Sequence, residues 1–434
     1  MNIAVIGAGY VGLVSGTCFA EIGVKVTCID TDASKIKMLS AGKIPIFEPH
    51  LGAMVARNMS EGRLHFESRF GDFLGDVDVI FIAVGTPTDA LTGGINTSYV
   101  ENAARFIAPM LDNYTVIVNK STVPIGTAEQ VSKVISGVNK NAIFDVASNP
   151  EFLREGSPID DFMKPDRIII GVDNERPKGI LAQIYQPLVN EDVPLVMMDT
   201  KSAELTKYGA NAFLATKVAF INEMAALCDS TGANVKSVAK GIGLDKRIGP
   251  RFLNPGPGVG GSCFPKDTRA LVNIAQDNNT EARIVTSVIE ANRRQMERMV
   301  KKIRLACGER LLDKNIGVMG LTFKPNTDDM RESPAIYILG ELEQAGAQIK
   351  VHDPEGMEHA KILLPDSIVY CDSMYDVCHQ TDVLVLMTEW DSYKNLDFEL
   401  IQTLMCGQTV VDLRNIYERK YIENAGFQYY GVGC

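Results

Sequence analysis

Over the first 199 positions, apolar runs bounded by glycine or polar residues alternate with segments of helical period: NIAVIG, VKVTCID, DVIFIAV, TVIVNKS, FDVASN, DRIIIGV and VPLVMMD. Such alternation predicts a parallel, doubly wound sheet. A stretch free of internal proline then follows at 201–232, and as one helix it would be about 45 Å long and bridge domains. Its Gly209, Ala210, Ala212, Ala215 and Ala219 would let another helix pack closely, a route to self-association. A second helical pattern, 281–306, stops near Gly308. Strand signals then return as NIGVMGL, AQIKVHDP, TDVLVLMT and QTVVDLR. The expected fold class is α/β: two Rossmann-like doubly wound parallel-sheet domains, 1–199 and 311–434, joined by a long central helix and a small helical domain, 200–310. The two ends read as distant copies, each with a strand, a glycine-bearing loop, a helix and a second strand ending in aspartate, Asp30 or Asp353.

Composition narrows the chemistry. The chain has 434 residues, 46% of them hydrophobic, and a formal net charge of −11 with no run of basic residues, which excludes nucleic acid as an expected partner. Nine cysteines without CxxC spacing argue for a reducing compartment, and five scattered histidines offer no metal site. The apolar run at 77–84 falls short of the roughly 20 residues a membrane span needs. The start, MNIAVIGAG, lacks a charged leader region, so no signal peptide and a cytoplasmic location are expected.

GAGYVG at 7–12 sits directly between a strand and a helix, and the next strand ends at Asp30. In that context Gly7 makes the turn, Gly9 admits a pyrophosphate and Gly12 packs helix on strand, while Asp30 accepts the ribose hydroxyls. A 2′-phosphate would meet this carboxylate and Asp32, so NAD is expected rather than NADP. The second copy, GVMGLTF at 317–323, lacks the third glycine. It is either a degenerate fold partner or a site for another phosphate-bearing ligand, with Lys324 and Arg331 as donors.

Ligands of such sheets lie beyond the carboxyl ends of the strands, where GTPTD (85–89), STVPIGT (121–127) and NPEFLREGS (149–157) fall. Thr122 could hold a water or a ribose hydroxyl, whereas Thr127 reads as a helix N-cap completed by Gln130. If their segment is helical, Glu151 and Glu155 share a face; otherwise they form a solvated acidic turn. Lys207, four residues before Asn211, either snorkels to solvent or stays in a site.

GVGGSCFPKD at 258–267 surrounds Cys263 with glycines, which suggests a close-fitting loop. Lys266 and a bound cationic nicotinamide would each favour a thiolate. A thiolate adds to an aldehyde, and the resulting thiohemiacetal can pass a hydride to NAD and leave a thioester that water cleaves to an acid. Cys18, Cys28, Cys228 and Cys307 instead suit the role of small buried hydrophobes.

GAGYVG, STVPIGT, NPEFLREGS, GGSCFPKD and FKPNTDDMRESP occur in the order and spacing of the UDP-glucose/GDP-mannose dehydrogenase family, which the chain resembles along essentially its whole length. The resemblance implies a dinucleotide domain, a central domain that forms a homodimer, and a C-terminal domain that holds the nucleoside diphosphate. It implies oxidation of the C6 alcohol of UDP-glucose to a carboxylate with two NAD per sugar. GDP-mannose or a UDP-N-acetylhexosamine is the alternative substrate. By the same resemblance Cys263 is the nucleophile; Lys207, Asn211 and Asp267 handle the C6 oxyanion and its proton; and Thr122 and Glu155 place the hydrolytic water. Gly7, Gly9, Tyr10, Val11 and Gly12 would hold the cofactor with Asp30, Lys35, Thr86, Ser121, Thr122 and Lys266, and Glu151 and Arg331 would stand at its nicotinamide end. The nucleotide sugar would meet Phe152, Leu153, Glu155, Lys207 and Asn211, then Arg247, Phe252, Leu253, Asn254, Gly258 and Cys263, and finally Phe323, Lys324 and Arg414. The chain departs from the family pattern at Val259, where an aromatic is frequent, and at 90–96, which lacks an expected acid. A two-electron hydroxyacid dehydrogenase would leave Cys263 idle, and a non-catalytic NAD-binding regulator would leave the whole constellation without work.

Overall fold

A computed structural model describes residues 1–69, 76–89, 93–190 and 192–434; the first positions of the 90–96 departure lie outside them. The chain divides into two compact units: Met1–Ala210 with Gln276–Asn278, and Asn211–Ala275 with Asn279–Cys434.

The first unit is built on strands β1 (Asn2–Ile6), β2 (Lys25–Ile29), β3 (Leu64–Glu67), β4 (Val79–Ile82), β5 (Thr115–Asn119), β6 (Phe144–Ser148), β7 (Ile168–Gly171) and β8 (Leu195–Met198). Their order is β3-β2-β1-β4-β5-β6-β7-β8. The crossover that separates β1 from β4 opens a crevice at their carboxyl ends. Every residue of β4 and β5 is buried, which is why these strands read as unbroken apolar runs. One pairing corrects the parallel expectation: β6 meets β7 antiparallel, through Ser148 opposite Gly171.

The second unit carries a parallel sheet in the order β11-β10-β9-β12-β13-β14. Its strands are β9 (Asn315–Met319), β10 (Gln348–His352), β11 (Val369–Tyr370), β12 (Val383–Leu386), β13 (Thr409–Asp412) and β14 (Gln428–Gly431). β3, β11 and β14 went unanticipated because they are short and end their sheets, with exposed or half-buried positions interrupting each of them. The helix Thr200–Thr231 runs unbroken for 32 residues and supplies side chains to both units. The helix Arg283–Ala306 stops as expected, with Gly308 at φ +75°.

One local expectation is overturned and one open alternative is decided. Thr127 is not a cap: Gly126, at φ +90°, precedes the helix Thr127–Val138, and the Thr127 hydroxyl donates to the Pro124 carbonyl at 2.6 Å. Residues 150–156 form no helix, so Glu151 and Glu155 sit on an extended turn rather than one helical face.

The repeat is visible atom by atom. Gly7 donates to the Ile29 carbonyl at 2.7 Å, and Gly320 to that of His352 at 2.9 Å. Asp30 accepts the Ala8 amide at 2.9 Å, and Asp353 that of Leu321 at 2.7 Å. Asp353 is further bound by the Thr322 amide and hydroxyl, the Trp390 indole, and the Glu355 and Gly356 amides. Among the described residues, no helix is long and apolar enough to cross a membrane and no side-chain cluster is fit to hold a metal ion.

Candidate active site

In the first unit, the turn after β1 has the shape its glycines imply. Gly7 adopts φ +96°, and a Cβ there would stand 2.7 Å from the Ala83 carbonyl oxygen. A Cβ on Gly12 would fall on the Gly7 carbonyl, whereas one on Gly9 would meet no atom within 4 Å. Open space over Gly9, at the N-terminus of the helix Tyr10–Glu21, fits a pyrophosphate. Asp30 accepts the amides of Ala8 and Asp32 and the Lys35 ammonium, the last at 2.9 Å. Burial pushes its carboxyl upward, but these donors outweigh it and keep it ionised below the usual range. These residues fit NAD. Ser121 donates to Val84 at 2.7 Å and so ties the ends of β5 and β4 together; Thr122 and Thr86 are half-buried beside them.

Lys207 stays inside. Only 3% exposed, it donates to the Glu151 carbonyl at 2.6 Å and to the Glu151 carboxylate at 3.1 Å. The same carboxylate accepts the Leu153 amide at 2.6 Å, so it organises its own turn. Two cations approach the Phe152 ring, with the Arg167 guanidinium 3.6 Å and the Lys207 ammonium 5.3 Å from its centre. Glu155 is anchored through its neighbour, because Glu48 accepts the Gly156 amide at 2.7 Å. The Tyr10 hydroxyl is buried close to Glu48; burial first, then that carboxylate, pushes the phenol far up and keeps it neutral. Val11 packs on the core of this unit.

Three residues escaped the sequence reading. Glu48 is one. Glu204 accepts the amides of Gly126 and Ala128 and the Ser148 hydroxyl at 2.6, 2.9 and 3.0 Å, which fixes the STVPIGT loop to the helix that carries Lys207. Lys120, buried after β5, is the third. Polarity inside an apolar context marks Lys120, but no local spacing marks the two glutamates.

In the second unit, Cys263 immediately precedes the helix Phe264–Asp277, and its carbonyl accepts the Asp267 amide at 2.8 Å. The start of a helix is a position at which the helix dipole favours a thiolate. The Ser262 hydroxyl lies 3.5 Å from it. Asn211 donates to one oxygen of Asp267 at 2.6 Å and Lys266 to the other at 2.7 Å. The loop glycines are close-fitting, as expected, but against protein: a Cβ on Gly261, at φ +83°, would lie 2.7 Å from the Phe323 ring. Val259 is held by both polar ends of the Asn292 side chain.

The expected sugar-nucleotide residues of this unit have varied surroundings. Phe252 adopts φ +64°, strained for a side-chain-bearing residue, and its ring centre lies 6.0 Å from that of Phe264. Leu253 is core. Arg414 donates to the Phe323 carbonyl at 2.7 Å and to that of Met387 at 2.9 Å, and a Cβ on Gly256 would stand 3.0 Å from its guanidinium. Lys324 overlies the Phe323 ring. Arg331 is paired with Asp329 and Arg247 with Asp245, both largely exposed. Asn254 is exposed, and Gly258 is buried.

Comparison with known proteins agrees along the whole chain. The UDP-glucose/GDP-mannose dehydrogenase family matches by its NAD binding domain at residues 1–189, its central domain at 201–294 and its UDP binding domain at 317–419. A UDP-glucose 6-dehydrogenase of Rhizobium meliloti is 48% identical over 100% of this chain and 99% of its own. One from Bacillus subtilis is 44% identical over 100% and 93%. The structure of a UDP-glucose dehydrogenase from Pyrobaculum islandicum superposes with a TM-score of 0.92 at 38% identity, covering 100% of this chain and 97% of that one. The structure of a UDP-D-ManNAc dehydrogenase from Pyrococcus horikoshii does so at 0.86 and 26%, covering 100% and 99%. A dinucleotide turn, a cysteine at a helix start and a match to the UDP binding domain thus occur in the order of one family, and the chain belongs to the UDP-glucose/GDP-mannose dehydrogenase family.

Proposed function

We propose that the protein oxidises the C6 alcohol of UDP-glucose to the carboxylate of UDP-glucuronate, with two NAD reduced per sugar. The observation that carries the reading is Cys263 at the start of a helix whose Asp267 is held by Asn211 and Lys266. NAD, when bound, accepts a hydride in each oxidation. Asp30 and Lys35 with the Gly7–Gly12 turn hold it; Tyr10, Val11, Thr86, Ser121, Lys266, Glu151 and Arg331 complete its surroundings.

Lys207, Asn211 and Asp267 stabilise the C6 oxyanion and take up its proton as the alcohol becomes an aldehyde. The Cys263 thiolate then adds to the aldehyde carbon, forming a C–S bond. Loss of the remaining hydride turns the thiohemiacetal into a thioester. Thr122 and Glu155 position water, which cleaves the C–S bond and returns the sulfur as leaving group. Lys324, Arg414 and Arg247 supply charge for the diphosphate, and Phe252, Phe323 and Phe152 supply apolar surface.

Three domains, 1–199, 200–310 and 311–434, divide the work between dinucleotide, central helices and UDP-sugar. The helix Thr200–Thr231 supports a homodimer: Phe213, Phe220 and Leu227 recur at heptad spacing and are all exposed. A cytoplasmic location follows from the nature of the substrate and cofactor.

A spectrophotometric count of NADH per sugar across UDP-glucose, UDP-N-acetylhexosamines and GDP-mannose tests this. Two NADH with UDP-glucose, and slower turnover of the others, is expected. One NADH per sugar would overturn the thioester route, and preference for another sugar would reassign the substrate.

A further inference from the structure

Lys120 lies just after β5, 4% exposed, immediately before the STVPIGT loop. Its backbone amide is bound to the Ile82 carbonyl at 2.9 Å. Its ammonium donates to the Asn149 side-chain oxygen at 2.8 Å and approaches the Tyr185 hydroxyl at 3.4 Å. Tyr185 itself donates to the same Asn149 oxygen. The Phe162 and Tyr185 ring centres each lie 5.9 Å from the ammonium. Asn149 is bound at its other end too, with its amide group on the Ile169 carbonyl at 2.7 Å and its backbone amide on Asn119 at 2.9 Å. Two residues on is Glu151, whose carbonyl and carboxylate hold Lys207.

A buried cation is costly unless a carboxylate compensates it. The Lys120 hydrogen bonds go to neutral oxygens, and the carboxylate that attracts it, Glu151, is already in contact with Lys207. A neutral donor would hold Asn149 as well, so charge is what Lys120 adds. We propose that Lys120 is a positioning residue of the oxidation: through Asn149 it fixes the turn on which Glu151 cradles Lys207, and its ammonium sets the net charge around that pair. The inference rests on Lys207 belonging to the group that handles the C6 proton.

The charged and titratable groups facing Lys120 are Glu151 from the turn after β6, Lys207 from the long helix, and the Tyr185 phenol, which burial keeps neutral. Burial pulls the Lys120 ammonium from its ordinary 10.5 down to about 7, with Glu151 opposing the fall and Lys207 adding to it. The charge of the cluster therefore changes near neutral pH. Arginine at this position keeps the charge throughout; methionine never has it.

The test is kcat and KM between about pH 6 and about pH 9 for the wild type, Lys120→Arg and Lys120→Met. We expect a wild-type inflection near pH 7 that both variants lose, kcat values that differ between the variants by about tenfold, and KM values within about threefold. A Lys120→Met enzyme with the wild-type profile overturns the inference, as does an equal loss in both variants with an unchanged profile, which would mark Lys120 as packing alone. If Lys120→Met does not fold, Tyr185→Phe removes one acceptor of the ammonium and should move the inflection to lower pH; an unmoved inflection overturns the inference. Lys207→Met separates the two readings, because turnover that survives it refutes the assignment of Lys207 rather than that of Lys120.

Discussion

The Asn211 side-chain amide donates to the Asp267 carboxylate at 2.6 Å, and both side chains are buried. With Lys266 on its other oxygen, this carboxylate has one neutral and one charged partner and cannot rotate freely. Asp267→Asn keeps the shape but removes the charge and the proton acceptor. It should lower kcat by about 100-fold or more with little change in affinity for the sugar nucleotide. Steady-state rates check this, and turnover within about twofold of wild type would remove Asp267 from proton handling.

Cys263→Ser should leave NAD binding and folding intact and stop acid formation, because an alkoxide is far harder to generate than a thiolate. Product analysis by mass spectrometry reads the outcome. Normal glucuronate production by the serine enzyme would refute a sulfur-bound intermediate.

Glu155 sits on the turn that Glu48 anchors through the Gly156 amide, away from the cysteine loop in sequence. As a residue that places water, it matters only after both oxidations. Glu155→Gln should then release a burst of about two NADH per active site, followed by slow turnover with the sugar retained on Cys263. Intact-protein mass reports the adduct. Neither burst nor adduct would leave Glu155 with a structural task alone.

The glycine turn separates binding from folding. Gly9→Ala projects a methyl group into open space, so the protein should fold normally while its KM for NAD rises about tenfold or more. Gly12→Ala drives a methyl group onto the Gly7 carbonyl and should cost a few kcal/mol of stability, about the effect of overpacking a core. Thermal melts and NAD titration on both variants distinguish the two effects; equal melting temperatures would show that helix and strand do not need the third glycine.

Lys120 also makes stability depend on pH. Its folded value, about 7, lies below the ordinary 10.5, so between these the unfolded chain binds more protons and stability climbs as pH rises. Lys120→Met lacks that climb. The melting temperature of the variant minus that of the wild type should therefore be larger at about pH 6.5 than at about pH 9.5. A difference independent of pH would mean that the ammonium titrates where it would in water.

β1, β4 and β5 were legible because buried parallel strands leave apolar runs, and the turn at Gly7–Gly12 because its chemistry is local. β3 was not: LHFE alternates exposed with buried side chains at the sheet edge and carries little apolar signal. The antiparallel contact of Ser148 with Gly171 has no local signature at all. The same limit applies to the site. Thr127 looked like a cap by spacing, but the carboxylate that binds the start of its helix is Glu204, more than 70 residues away. Glu48 reaches Gly156 across 108 positions, and Lys120 reaches Asn149 across 29. Periodicity registers neighbours three or four residues apart, whereas these partners become neighbours only through the order of the strands.

Asp353 bears on stoichiometry. In the first half the corresponding aspartate accepts two backbone amides and the Lys35 ammonium, and its side chain keeps 12% exposure. In the second half the Thr322 hydroxyl and the Trp390 indole already occupy that place, and the backbone amides of 355 and 356 fill the other oxygen. That half carries its own surrogate guest, sealed in by an aromatic ring that would have to leave before any ribose could enter. One polypeptide thus folds the same turn twice, and in the second copy the protein's own donors saturate the aspartate.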